Sequence, residues 1–335
     1  MNKFFSISIA AMLWLFPVGS ITSAQEKEPL RLVQTIPMPN VKGRLDHMDV
    51  DVKGKRLFVT GLENGSLEVV DLEAGKWLKS ISGFKKTQGV AYVSSLNKLF
   101  VASGDDGMLG VFRGDTLELL DAIKLDLGPN RVAYDSRTKV LYVGYGGKDA
   151  GKDYGEVGII DAKTDKHIAD IKVEAHPAEL LLDKSGKTLF VSVPPSKVQV
   201  VDTKKREVVS TWSVSSQRDG DGAFDENNHR LIIATRTPPQ MIAMDSRTGK
   251  EVATLPTVEG MDGVYFDAPH KRVYVSGGRD YDVGYVFAYQ QKDADHYDII
   301  AKIRTKSGAG TSFWSPELNR YYVAAPPTTT NKPRF

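Results

Sequence analysis

Two of the six histidines in this 335-residue chain stand beside groups that could share a proton with them. His47 follows Asp46 and comes three residues after Arg44 in "GRLDHMDVD"; His176 precedes Glu179 in "HPAEL". An imidazole next to a carboxylate can act as a general base. A nearby guanidinium can grip a carboxylate or phosphate through its planar fork. Arg131, which follows Asn130, and Arg218, Arg236 and Arg279 add further forks of that kind. The plainer use of either histidine is a hydrogen bond to a neighbouring loop. These residues are scattered over more than 230 positions, so any joint chemistry depends on a fold that gathers them.

A repeat supplies that fold. Segments starting at Leu57, Leu99, Leu141, Leu189, Leu231, Val273 and Tyr321 read "LFVT", "LFVA", "LYVG", "LFVS", "LIIA", "VYVS" and "YYVA", at steps of 42, 42, 48, 42, 42 and 48 residues. Six residues before five of these starts stand Asp51, Asp135, Asp183, Asp225 and Asp267, each suited to the first position of a tight turn. A further set, "EVVDLEAGK", "GIIDAKTDK", "QVVDTKKRE" and "IAMDSRTGK", ends a strand on aspartate and turns at once. Each copy therefore holds four short strands, a to d, and the chain is all-β. A single four-stranded sheet cannot hide both faces, so the copies must stack around an axis. The period and strand count predict a seven-bladed β-propeller of four-stranded antiparallel blades. A two-sheet sandwich has no such fixed period.

The "L-[FY]-V-small" segment and the "V-[VI]-D-x-x-T-x-K" turn resemble those of the YVTN-repeat β-propellers, including the YncE-like exported bacterial proteins. The likeness runs from Leu30 to about Ala325. It implies the scaffold much more than any reaction. On this reading "LRLVQTIPMP", Leu30 to Pro39, is the N-terminal strand completing the last blade. Strand c of that blade falls on residues 330–335, "TNKPRF", where Pro333 and the scarcity of apolar residues fit a ladder poorly.

In such a ring the d-to-a and b-to-c connections open on one face. Collected there are Arg44, Asp46, His47, Gln88, Asn130, Arg131, His176, Glu179, Arg218, Asp219, Asp221, Asp262 and Thr311, with Glu63, Asp105, Asp106, Arg236, Arg279 and Asp280 from the b-to-c side. The functional reading is a small anionic molecule or a protein partner held at the channel mouth by Arg44, Arg131, Arg218 and Arg236. The bland reading is a set of solvated loops whose charges pair among themselves. His167, His229, His270 and His296 fall in turns of the opposite face.

No cofactor is expected. "GGKDAGKD" departs from a phosphate-binding loop and has no helix after it; "RDGDGAFDENN" lacks the closing glutamate of a calcium loop. "MDSRTGKEV" lacks the per-blade tryptophan of quinone-binding propellers.

Residues 1–24 have the layout of a cleavable signal peptide: Lys3, an apolar run, then Thr22-Ser23-Ala24. Export to the periplasm or medium is expected, with cleavage near Ala24 and residues 25–335 forming one propeller domain. The apolar run is too short for a membrane span. With no cysteine, the fold has no disulfides and no thiolate metal site. A net charge of +2 argues against a duplex-binding protein, and a monomer is expected. The leading function is a non-catalytic binding scaffold with its site at the channel mouth. The alternative is a lactonase-like hydrolase using His176, Glu179 and Arg131, and a third reading is a docking accessory to a periplasmic redox system.

Overall fold

The seven apolar segments that set the repeat are all strands, and each is the second strand of its sheet. The computed structural model describes residues 28–327. Blade one runs, from axis to rim, Leu45–Asp51, Arg56–Gly61, Ser66–Asp71 and Lys76–Ser82, every pair antiparallel. Five more copies repeat this four-stranded meander. The turn aspartates act as the sequence predicts. Asp135 Oδ1 accepts from the Arg137 amide at 3.0 Å and Asp51 Oδ1 from that of Gly54 at 2.8 Å. At the c-to-d turns Asp71 and Asp161 each accept from two following amides.

The core lies between blades. Phe58, Leu67 and Val69 of blade one interlock with Val90, Leu99, Val101 and Phe112 of blade two. Tyr142, Val157 and Ile159 of blade three do the same with Leu180, Leu189 and Val191 of blade four. A side chain as fully covered as Leu67 or Leu99 contributes about 1.5–3 kcal/mol by burial. The outer strands face the rim as sheet edges, and each of the six carries a one-residue bulge, at Leu78, Leu120, Ile168, Val209, Val252 and Ile300. Bulges of this kind twist an edge away from foreign strands.

Two expectations are corrected. Among the described residues there are six four-stranded blades, not seven. The seventh copy gives a two-stranded sheet, Ser312–Ser315 with Arg320–Val323. Residues 330–335, where its third strand is expected, lie outside the described residues. The segment Leu30–Pro39 is not a strand either. An outer strand needs a third strand to bond to, and none stands beside it among the described residues. The segment packs through side chains instead. Leu30 joins Tyr274, Ile300, Tyr321 and Val323, and Ile36 and Met38 join Val41, Leu45, Phe313 and Tyr322. Leu32 and Val33 are left 85% and 59% exposed.

The ring is nevertheless closed along its axis. First strands pack on first strands all the way round: Leu45–Asp51, Thr87–Val93, Val132–Asp135, Glu179–Leu182, Gln217–Asp225, Met261–Asp267 and Ser312–Ser315. Thr311 fastens the seam. Its hydroxyl is 3.1 Å from the Leu45 carbonyl on one side and 3.1 Å from Asp262 Oδ2 on the other. Asp49 ties blade one to blade two, accepting from the Tyr92 amide at 2.6 Å. No helix among the described residues is long and apolar enough to cross a membrane. The signal-peptide reading falls on residues outside the described ones.

Candidate functional site

The tenth residue before each repeat start forms one column around the axis: His47, Gly89, Arg131, Glu179, Asp221, Gly263 and Thr311. These positions sit at the entry of the first strands, where the chain turns in from the preceding blade. Sequence neighbours in the column are space neighbours in the ring, and four of them make a single polar network.

Arg131 is its centre. Nε donates to the Ala178 carbonyl at 3.0 Å, Nη1 to His47 Nδ1 at 3.3 Å and Nη2 to Asp221, with Glu179 Oε2 3.6 Å from Nη2. Because Arg131 can only donate, His47 Nδ1 must accept. The histidine is then the Nε2–H tautomer, giving its proton to Asn130 Oδ1 at 2.9 Å. Burial and the charge of Arg131 both lower its pKa and keep it neutral. Asp46 Oδ2 is 3.9 Å away. Glu179 accepts from the amides of Leu180 at 2.9 Å and Gly222 at 3.2 Å. Burial pushes it up to about 7; Arg131 opposes this and the charge of Asp221 adds to it. Asp221 goes the other way. Burial would raise it, but Arg131, by its charge and its hydrogen bond, and then Arg236 hold it below its ordinary value.

A second cluster sits beside the seam. Asp262 takes Arg44 at 3.2 Å, Arg236 at 2.9 Å and Arg279 at 3.5 Å. Arg44 also holds Asp46 at 2.7 Å, and Arg236 Nε donates to the Met261 carbonyl at 3.0 Å. Three partly exposed guanidiniums thus converge on the one carboxylate of Asp262, with Asp46 as a second partner for Arg44 and the exposed Asp280, 3.9 Å away, for Arg279. Arg279 registers the crowding: burial, and then Arg44 and Arg236, lower its pKa. Arg44 Nε is buried with no acceptor. The charge of Asp221 acts on Arg44 and Asp262, so the two clusters are adjacent.

Below the network the channel opens into a cavity of about 280 Å³. Arg131, Glu179, Asp221 and Tyr265 line its polar side; Leu181, Ala223, Phe224, Val264 and Phe266 line the rest. None of the residues below the mouth was singled out from sequence. Strand alternation could have found Tyr265, which points to the same side as the column position two residues before it.

Other candidates stand apart. His176 Nδ1 lies 3.0 Å from the Gly146 carbonyl, and no hydrogen bond or ion pair joins it to Glu179 among the described residues. Gln88 is buried against Gly104 with its Oε1 unpaired. The side chains of Arg218 and Asp219 lie outside the described residues. Asp105 faces Lys86 at 3.6 Å, and Asp280 lies 3.9 Å from Arg279. On the opposite face, His167, His270 and His296 bond aspartates of their own turns at 2.6–2.8 Å.

No family model matches the chain, and no curated protein is similar to it. The fold is similar to solved structures. A chain of Kuenenia stuttgartiensis hydrazine synthase superposes with a TM-score of 0.70 at 15% identity, covering 87% of this chain and 98% of that one. A chain of the mitotic checkpoint complex gives 0.68 at 14%, covering 97% and 96%. At such identities the likeness shows the fold alone: a β-propeller. The resemblance to YVTN-repeat propellers rests on the repeat residues quoted above.

Proposed function

We propose that this propeller is a non-catalytic binding protein that holds a small anionic organic molecule at the mouth of its central channel. The observation that carries this reading is the convergence of three guanidiniums on the one carboxylate of Asp262, on side chains that still reach solvent. Arg131 plays a different part. Its three nitrogens are all engaged by Ala178, His47 and Asp221, so it braces the site and leaves anion binding to Arg44, Arg236 and Arg279. We also infer export, on the composition of residues 1–24, and kinship with YVTN-repeat propellers, on the repeat. The propeller neighbours support a binding or scaffold role in general terms.

The lactonase-like alternative loses support from the geometry. His176 gives its Nδ1–H to the Gly146 carbonyl and, among the described residues, no hydrogen bond or ion pair joins it to Glu179 or Arg131; His47 presents no free basic nitrogen because Arg131 occupies Nδ1.

Calorimetric titration with a panel of small carboxylates and phosphate esters tests the reading. The double variant Arg236→Ala/Arg279→Ala should weaken the best anion by about 10- to 100-fold, as expected for the loss of charge-assisted hydrogen bonds. Equal affinity in variant and parent would refute the site.

A further inference from the structure

The cavity beneath the mouth has the opposite chemistry to its rim. Asp221 is 8% exposed and Glu179 9%, and both line the space. Asp221 spends one oxygen on Arg131, and its other oxygen has no donor among the described residues. Glu179 accepts two backbone amides, each through a different oxygen, which leaves lone pairs over. Arg131 is engaged on all three nitrogens, and the Tyr265 hydroxyl donates to the Ser312 carbonyl at 2.7 Å. Two carboxyl groups face one guanidinium here, whereas three guanidiniums converge on Asp262 at the rim. The rest of the wall is apolar.

We infer that the cavity receives the ammonium group and apolar side chain of a small amino-acid-like zwitterion, whose carboxylate is held by Arg44, Arg236 and Arg279 above. This rests on the anionic reading of the mouth and adds the rest of the ligand to it. The ammonium supplies the donors that Asp221 and Glu179 lack, and the side chain lies against Leu181, Phe224 and Phe266. The size agrees. About 280 Å³ is roughly nine waters at liquid density, and it falls near the lower end of small-molecule sites. A bare amine would meet the three guanidiniums at the mouth, and a bare carboxylate would give the second oxygen of Asp221 no donor. Only a molecule with both groups satisfies both clusters.

The test uses the unmodified protein and three probes of matched shape: L-phenylalanine, 3-phenylpropanoate and 2-phenylethylamine. Calorimetry should show L-phenylalanine binding about tenfold or more tighter than either analogue, because each lacks one charge-assisted contact. Asp221→Asn and Glu179→Gln, with folding checked by circular dichroism, should each narrow the gap between L-phenylalanine and 3-phenylpropanoate. If 3-phenylpropanoate binds as well as L-phenylalanine, the ammonium site is wrong while the anionic mouth stands. If 2-phenylethylamine binds as well as L-phenylalanine, the mouth reading fails and takes the zwitterion with it. Failure of all three probes to bind overturns the inference.

Discussion

Arg131→Ala should cost about 3–5 kcal/mol of stability at pH 7, read as a fall in the urea midpoint. The arginine is the partner of Asp221, stands 3.6 Å from Glu179, and fills the acceptors of His47 and Ala178. Without it two buried carboxyl groups face each other with no cation between them. The pH dependence should change as well. In the parent, Asp221 is held below its ordinary value, so its contribution is present at neutral pH and is lost as pH falls through that lowered pKa. In the variant, burial acts against only the weaker pull of Arg236 and raises the pKa. Acid then protonates the uncompensated carboxyl and relieves the strain, so the gap between variant and parent should narrow from pH 7 to pH 5. Arg131→Lys should recover only part of the loss, since one ammonium cannot reach Ala178, His47 and Asp221 together. A cost below about 1 kcal/mol would show that the network is a surface feature.

Glu179→Gln should gain in stability on its parent as the solution passes from acid to alkaline. The folded state holds this carboxyl up at about 7, against an ordinary value of 4.5. Between those values the native chain binds more protons than the unfolded one, so raising the pH favours unfolding. The penalty is absent below the lower value and complete above the upper one. It amounts to on the order of 3 kcal/mol at about 1.4 kcal/mol per unit. Glutamine removes the ionisation and keeps one acceptor oxygen, so it serves the Leu180 or the Gly222 amide but not both, a loss of about 1–3 kcal/mol that does not depend on pH. Chemical denaturation at pH 5 and pH 8 should therefore show the variant gaining on its parent as pH rises. Asp49, which burial raises to about 6, contributes a slope of the same sign, and it cancels in the comparison. A difference that does not vary with pH would remove Glu179 from the group of carboxyls that titrate near neutrality.

The architecture was legible because its determinants are local. Asp51 and Asp135 bond amides two or three residues on, and segments such as "LFVT" bury themselves against the same segment one period later. The closing sheet was not legible in this way. Whether Leu30–Pro39 becomes a strand depends on a ladder partner far away in sequence, and its own apolar residues do not decide that. The site was half legible. The repeat placed the column residues at one level of the first strands, but it could not say which side chains meet across intervening blades. His47 in blade one reaches Asn130 and Arg131 in blade three because blade two offers Gly89 at the same level. A Cβ there would come within 1.8 Å of the Asn130 carbonyl. Arg131 in turn passes Glu179 of blade four to reach Asp221 of blade five. His176 looked like a partner for Glu179 from three residues away, yet Glu179 begins a strand that faces the axis and His176 belongs to the loop against Gly146. Proximity in sequence said little where the chain changes direction.

The account stands or falls on whether the channel mouth holds a molecule. Mass spectrometry of small molecules released from the purified native protein tests this most directly. An anionic organic compound carrying an amino group, retained by the parent and lost from Arg236→Ala/Arg279→Ala, is the predicted result. Release of nothing from the parent, even after incubation with the carboxylate and phosphate panel, would contradict it.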